Sequence, residues 1–190
     1  YIENVLRLKV NKDKSRIGRP TEIQYLGFAF YYQFQEKKYR MKVPKKSLDK
    51  VKKKVRKLTS RKWSVSNSYK AEKIAEVVRG WINYFRIGLM KQFVEELGQW
   101  LRHKIRMIVM KQWKKPKTIY RNLSYLNRKN RNGFSQEDIH KVANSRLGWY
   151  RRSGMNVVNF IISKDLLENR IKDGAGLLNP LSYYLAKVGI

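Results

Sequence analysis

The sequence predicts an α+β protein that is predominantly α: an N-terminal β-hairpin, then a three-helix bundle, then a small basic helical C-terminal region. Three observations lead there. Apolar residues alternate with polar ones up to about residue 43 and recur at spacings of three and four after Pro44. The chain carries 44 Lys and Arg against 14 Asp and Glu, a formal net charge of +30. Hydrophobic residues still make up 42% of its 190 residues, which provides for a core and disfavours a disordered basic tail.

The elements follow in chain order. In "VLRLKVN", Leu6, Leu8 and Val10 alternate with Arg7, Lys9 and Asn11, the period of a half-buried strand. "NKDKSRIGRPTE" supplies turn chemistry through Asn11, Ser15, Gly18 and Pro20. In "IQYLGFAFYYQFQEKKYRMKV", Leu26, Phe28, Phe30, Tyr32 and Phe34 share one face. A polar reversal near residues 35–38 precedes Tyr39, Met41 and Val43, and a β-hairpin is expected. Ser47, followed by Asp49, is the expected N-cap of a first helix with Leu48, Val51, Val55 and Leu58 inward and Lys or Arg almost everywhere else.

After "SVSNS", a second helix is expected over about residues 69–88, with Ile74, Val77, Val78, Trp81, Ile82 and Phe85 inside. Trp81 and Phe85 therefore read as core, Tyr84 is ambiguous, and Arg79 and Asn83 point toward a partner. Gly80, about 1 kcal/mol worse than Ala in a helix, is explained most simply by a close helix crossing. A third helix over about residues 91–113 aligns Val94, Leu97, Leu101, Ile105 and Ile108, and Lys115 and Pro116 end the bundle. Beyond residue 118 the pattern weakens. Ser135 with Asp138 resembles a capping box, "VVNFIISKDLLENRI" reads as one helix, and "LSYYLAKV" as a last short one.

Two segments hold most of the charge. Residues 37–62 contain 14 Lys or Arg with Asp49 the one acid, and residues 97–136 contain 11 with no acid. A solvated helix face is the bland explanation. Against it stands the lack of compensating Glu at i,i+4, since like charges so spaced destabilise a helix by a few tenths of a kcal/mol per pair. A polyanion, above all nucleic acid, is the expected partner. On the third helix Arg102, Arg106 and Trp113 fall on one side of the apolar stripe and Lys104 and Lys111 on the other. Trp113 either packs against the C-terminal segment or stacks on a base or sugar.

The search for catalytic chemistry finds little. The chain has no Cys, so thiol catalysis and Cys-based zinc sites are excluded. It has no adjacent Asp pair; Glu95 and Glu96 point to different sides of a helix, and His103 and His140 lack a ligand set. No apolar run approaches the roughly 20 residues that span a bilayer. A Tyr at position 1 is read as the start of a piece of a longer polypeptide.

"RGWINYF" (residues 79–85), followed by "WLRHKIRMIVMKQWKKPKT" (100–118), resembles the maturase-specific thumb domain of group II intron-encoded reverse transcriptases. "LTSRKWSVSN" (58–67) is similar to the link between that domain's first two helices. "LRLKVNKDKS" (6–15) and "IQYLGFAF" (23–30) resemble the last two palm blocks, the second being the primer-grip hairpin. "VANSRLGWYRRS" (142–153) and "GLLNPLSYYL" (176–185) resemble the DNA-binding region that ends members lacking an endonuclease domain.

The resemblance implies a palm end over 1–43, a thumb or maturase domain over 44–117 and a basic DNA-binding region over 118–190. It implies a primer grip at Tyr25, Leu26, Gly27 and Phe28. Candidate nucleic-acid contacts are Lys45, Lys46, Lys53 and Lys54 on the first helix, Arg61, Lys62 and Trp63 in the link, and Arg79, Asn83 and Tyr84 on the second helix. Arg102, Arg106, Lys111 and Trp113 follow on the third, Lys114, Lys115 and Lys117 at its end, and Arg146, Trp149, Arg151 and Arg152 beyond.

The implied partners are group II intron RNA, an RNA–DNA or DNA target, and the fingers and palm of the same protein, with no membrane. The catalytic Asp pair and its magnesium are expected in the palm, outside this chain, which itself needs no cofactor and is expected to be inactive alone. The implied setting is the bacterial cytoplasm, with nucleoid or ribonucleoprotein. A CRISPR-associated reverse transcriptase shares this type of thumb, and a stand-alone basic RNA- or DNA-binding module is the alternative from another class. Attraction to anionic lipid fits poorly, because the charges spread around several helices.

Overall fold

The change of hydrophobic period at Pro44 is where sheet gives way to helix. The computed structural model describes residues 1, 3–7, 9, 11, 17–60, 63, 65–169 and 176–189. A 3-10 turn over Pro20–Glu22 leads into three antiparallel strands, β1 (Gln24–Tyr25), β2 (Phe28–Gln33) and β3 (Lys38–Lys42), in that order across the sheet. The expected hairpin is β2–β3, with Phe30 opposite Met41 and Tyr32 opposite Tyr39.

Two strand expectations are corrected. Around residues 5–10 the described residues form a turn, in which the Val5 and Leu6 amides donate to the Tyr1 carbonyl at 2.8 and 3.2 Å, and both side chains are exposed. Leu8 and Val10 lie outside the described residues. Alternation makes a strand only where an edge exists to pair with, and β1, two residues long, offers little edge. Leu26 belongs to no strand face. With Gly27 it forms the two-residue corner between β1 and β2, both at positive φ (46° and 77°), as a type I′ turn requires.

α1 (Lys45–Leu58) begins two residues before Ser47, with Pro44 as its N-cap. Ser47 lies in the first turn, its amide donating to the Pro44 carbonyl at 2.9 Å. α2 (Asn67–Phe85) starts at Ser66, whose Oγ accepts from the Tyr69 amide at 3.2 Å, and α3 covers Lys91–Trp113. Their stripes meet as expected: Leu48, Val51 and Val55 bury against Ile74, Val78, Ile82 and Phe85, and Val94, Leu97, Leu101 and Ile105 complete the seam. Gly88, between α2 and α3, lets the Phe28 ring come close; a Cβ there would meet that ring at 3.3 Å.

Pro116 does more than end α3. It is the first residue of α4 (Pro116–Asn130), where its missing N–H has no partner to lose. Lys114 turns the corner at φ 56°, and Arg131 closes α4 in the left-handed region at φ 53°. Ile119, Leu123 and Asn127 bury at spacings of four. α5 (Gln136–Ala143) has the expected cap: Ser135 Oγ accepts from the Asp138 amide at 3.1 Å.

α6 (Trp149–Ser153) is additional. The single helix expected from residue 157 is two, α7 (Asn156–Ile161) and α8 (Lys164–Asn169), because Ser163 Oγ accepts from the Leu166 amide and starts a new turn. α9 (Pro180–Val188), capped by Asn179, returns to pack on α2 and α3. Apolar residues from β2 to α9 form one continuous core. Among the described residues, no helix is long and apolar enough to cross a membrane.

Candidate nucleic-acid interface

α1 makes an open cationic surface. Lys45, Lys46, Lys53 and Lys54 are exposed, and among the described residues none of them has a carboxylate at ion-pair distance. The helix folds this way because Leu48, Val51 and Val55, with Leu58 at its end, fix one face inward and leave nearly every other position to charge. Trp63, in the link that follows, is half-buried and packs near Tyr69 at 5.7 Å. Arg61 and Lys62 lie outside the described residues.

The aromatics of α2 join the helices to the sheet. Tyr84 Oη donates to the Leu26 carbonyl at 2.7 Å, holding the corner of the first hairpin. Its ring stacks on Phe28 at 5.8 Å, and Phe85 meets Phe28 edge-on at 5.2 Å. Phe85 is buried and Trp81 packs partly buried on the core, as the period predicts. Of the four expected grip residues, Tyr25 and Leu26 are each 65% exposed, Gly27 is exposed beside them, and Phe28 is buried as the anchor.

Gly80 is not at a close crossing: a Cβ there would meet nothing within 4 Å. It borders a cleft of about 500 Å³ with Lys50, Lys54, Gly27 and Tyr84, so the missing side chain widens an open groove between α1 and α2. Arg79 and Asn83 are exposed but engaged with α9. The Arg79 guanidinium lies 5.8 Å from the Tyr183 ring, and Tyr183 Oη donates to Asn83 Oδ1 at 3.1 Å.

Two arginines expected at the surface are buried. Arg106 donates through Nε to the Ile162 carbonyl at 2.8 Å and through a terminal nitrogen to the Asn159 carbonyl at 3.3 Å. Burial, aided by Arg102, pushes its guanidinium down to about 10, so it keeps its charge at neutral pH. Arg152 donates to the Val142 carbonyl at 2.8 Å and to the Ala143 carbonyl, with Trp149 stacked at 5.3 Å; burial lowers its pKa as well.

These carbonyls close the C-terminal ends of α7 and α5, where a short helix lacks internal donors and its dipole favours a cation. Arg106 and Arg152 are thus helix caps and leave the candidate surface. Arg102 is also largely covered, 3.8 Å from Glu168.

The remaining candidates divide. Lys114, Lys115 and Lys117 stand exposed at the α3–α4 corner, with Lys111 half-buried before them; Arg146 and Arg151 are exposed, and half-buried Trp149 faces Arg152. Trp113 packs against the core and lines a cleft of about 600 Å³ with Tyr125, Ile162 and Leu166, which favours packing over stacking. Sequence reasoning missed a further cluster, Lys52, Arg56 and Lys104 around Trp100. Its signal was two i,i+4 pairs, 52 with 56 and 100 with 104, which only the crossing of α1 and α3 brings together. Among the described residues, no three His, Asp or Glu come together as metal ligands would.

A helical core with cations turned outward from α1, locked to a small sheet by α2 aromatics, defines a basic α+β protein of the helix-bundle type. Residues 48–126, from the first turn of α1 into α4, match the family model described as Group II intron, maturase-specific domain. No curated protein matches it.

Proposed function

We propose that this chain binds group II intron RNA through the outer face of α1 and the exposed corners beside it, and assists splicing by holding the RNA's fold while the RNA performs the chemistry. One observation carries this: a helix face of exposed Lys and Arg, without carboxylate partners among the described residues, that from residue 48 onward lies inside the segment matching the maturase-specific domain. An unpaired cationic face is held against its own repulsion, and phosphates are the counter-charge that relieves it.

The finer reading follows the resemblance. Residues 1–43 end a palm whose hairpin corner, at Tyr25, Leu26 and Gly27, meets the primer strand. Residues 44–117 grip template–primer duplex as well as intron RNA, and 118–190 contact target DNA during retrohoming. The polymerase step, with its paired Asp and magnesium, belongs to the fingers and palm of the same enzyme, in a bacterial ribonucleoprotein.

A salt titration of affinity for a folded group II intron RNA, beside an unrelated folded RNA of equal length, tests the proposal. A preference for the intron that survives rising salt is expected. If both affinities fall together along one slope, specific recognition by these residues is refuted and only electrostatic attraction remains.

A further inference from the structure

Trp100, on α3, is ringed by three cations from two helices. Lys52 Nζ lies 6.0 Å from its ring centroid, the Arg56 guanidinium carbon 5.5 Å and Lys104 Nζ 5.9 Å. Lys104 also sits 5.4 Å from the Tyr150 ring of α6. Tyr150 is itself fixed: His103 stacks on it at 3.9 Å, and His103 Nε2 pairs with the Tyr150 carbonyl at 2.7 Å. No carboxylate among the described residues stands at ion-pair distance from Lys52, Arg56 or Lys104.

The ring quadrupole attracts each cation but neutralises none of them. The crowding registers on Lys104, whose pKa is lowered by burial and then by Arg56 and Lys111. Such a cluster lacks one thing, an anion. The two non-bridging oxygens of a phosphodiester suit it, with the Arg56 fork taking both and the two ammonium groups closing from the sides. Lys53, the next residue on α1, continues the same charged surface, so a strand on that helix reaches the cluster without a gap.

We propose that Lys52, Arg56 and Lys104 form a clamp for a single backbone phosphate of the bound RNA, with Trp100 as the positioning residue that holds the three cations together. The proposal rests on the RNA-binding reading above and adds a site to it.

The test is the salt dependence of intron-RNA affinity for the full chain and its variants. Three cations on one phosphate act as one contact. Lys52→Gln, Arg56→Gln and Lys104→Gln combined should therefore lower the slope by about one contact, roughly 0.7–0.9, and not by three. Trp100→Phe should retain the wild-type slope, while Trp100→Leu should lose as much as the triple variant with its helical circular dichroism unchanged.

An unchanged slope in the triple variant overturns the clamp alone, as does a loss near three contacts, which is what independent surface cations would give. Equal slopes for Trp100→Leu and wild type overturn the positioning role. A wild-type chain that does not bind the RNA overturns the functional reading, and the clamp with it.

Discussion

The lysines of α1 and the arginines at positions 106 and 152 carry the same charge in opposite surroundings. On α1 the helix is 14 residues long, its core stripe is complete, and its cations face water. In the C-terminal half, α5 and α7 have eight and six residues, so half or more of their carbonyls lack intrahelical donors. There the cations turn inward and supply them. The lesson is that the open carbonyls of short helices decide what a nearby basic residue does. α5 and α7 draw arginines in as caps, Arg106 even from the long α3, while along α1 no such carbonyls are at hand and the cations stay free for a partner.

The sharpest way to break this comparison is to remove an inward arginine. Arg106→Met should destabilise the fold by about 2–4 kcal/mol, because one buried and one part-buried carbonyl lose their donors, and Arg152→Met should do the same at α5; urea unfolding reads both. An effect no larger than that of an exposed lysine would erase the distinction. Smaller effects sharpen it at the joint between helix and sheet. Tyr84→Phe removes one partly exposed hydrogen bond and should cost about 1 kcal/mol, with faster amide exchange at the Leu26–Gly27 corner.

Gly80→Ala should raise stability by about 1 kcal/mol, since the added methyl meets nothing. If intron affinity drops in that stabilised variant, the groove between α1 and α2 has a binding role. The smallest effect belongs to the outward lysines. Lys53→Gln with Lys54→Gln should leave stability within about 0.5 kcal/mol while reducing the salt slope of RNA binding.

The long elements were legible because each buries a whole stripe. Val94, Leu97, Leu101 and Ile105 state the period of α3 over several turns, and Ser135 announces α5 by its own side chain. α4 was obscured by Pro116, which has the same chemistry whether it stops one helix or starts the next. The division between α7 and α8 turns on one hydroxyl, Ser163, inside an otherwise continuous apolar pattern. At the candidate site, charge gave the face of α1 directly. The burial of Arg106 was not visible, because its partners are carbonyls 53 and 56 residues away that no side-chain pattern marks. The Trp100 cluster stayed hidden for a related reason: each helix holds only half of it.

The corners at Lys114 and Arg131 set durability against reach. Both hold backbone that favours glycine, at a penalty of about 1–2 kcal/mol per residue, and both carry a charge at an exposed position. Engineering this protein for heat would begin with glycine at those two places, and each replacement would blunt its pull on a polyanion. Melting temperature and association rate should therefore move in opposite directions along that pair of variants.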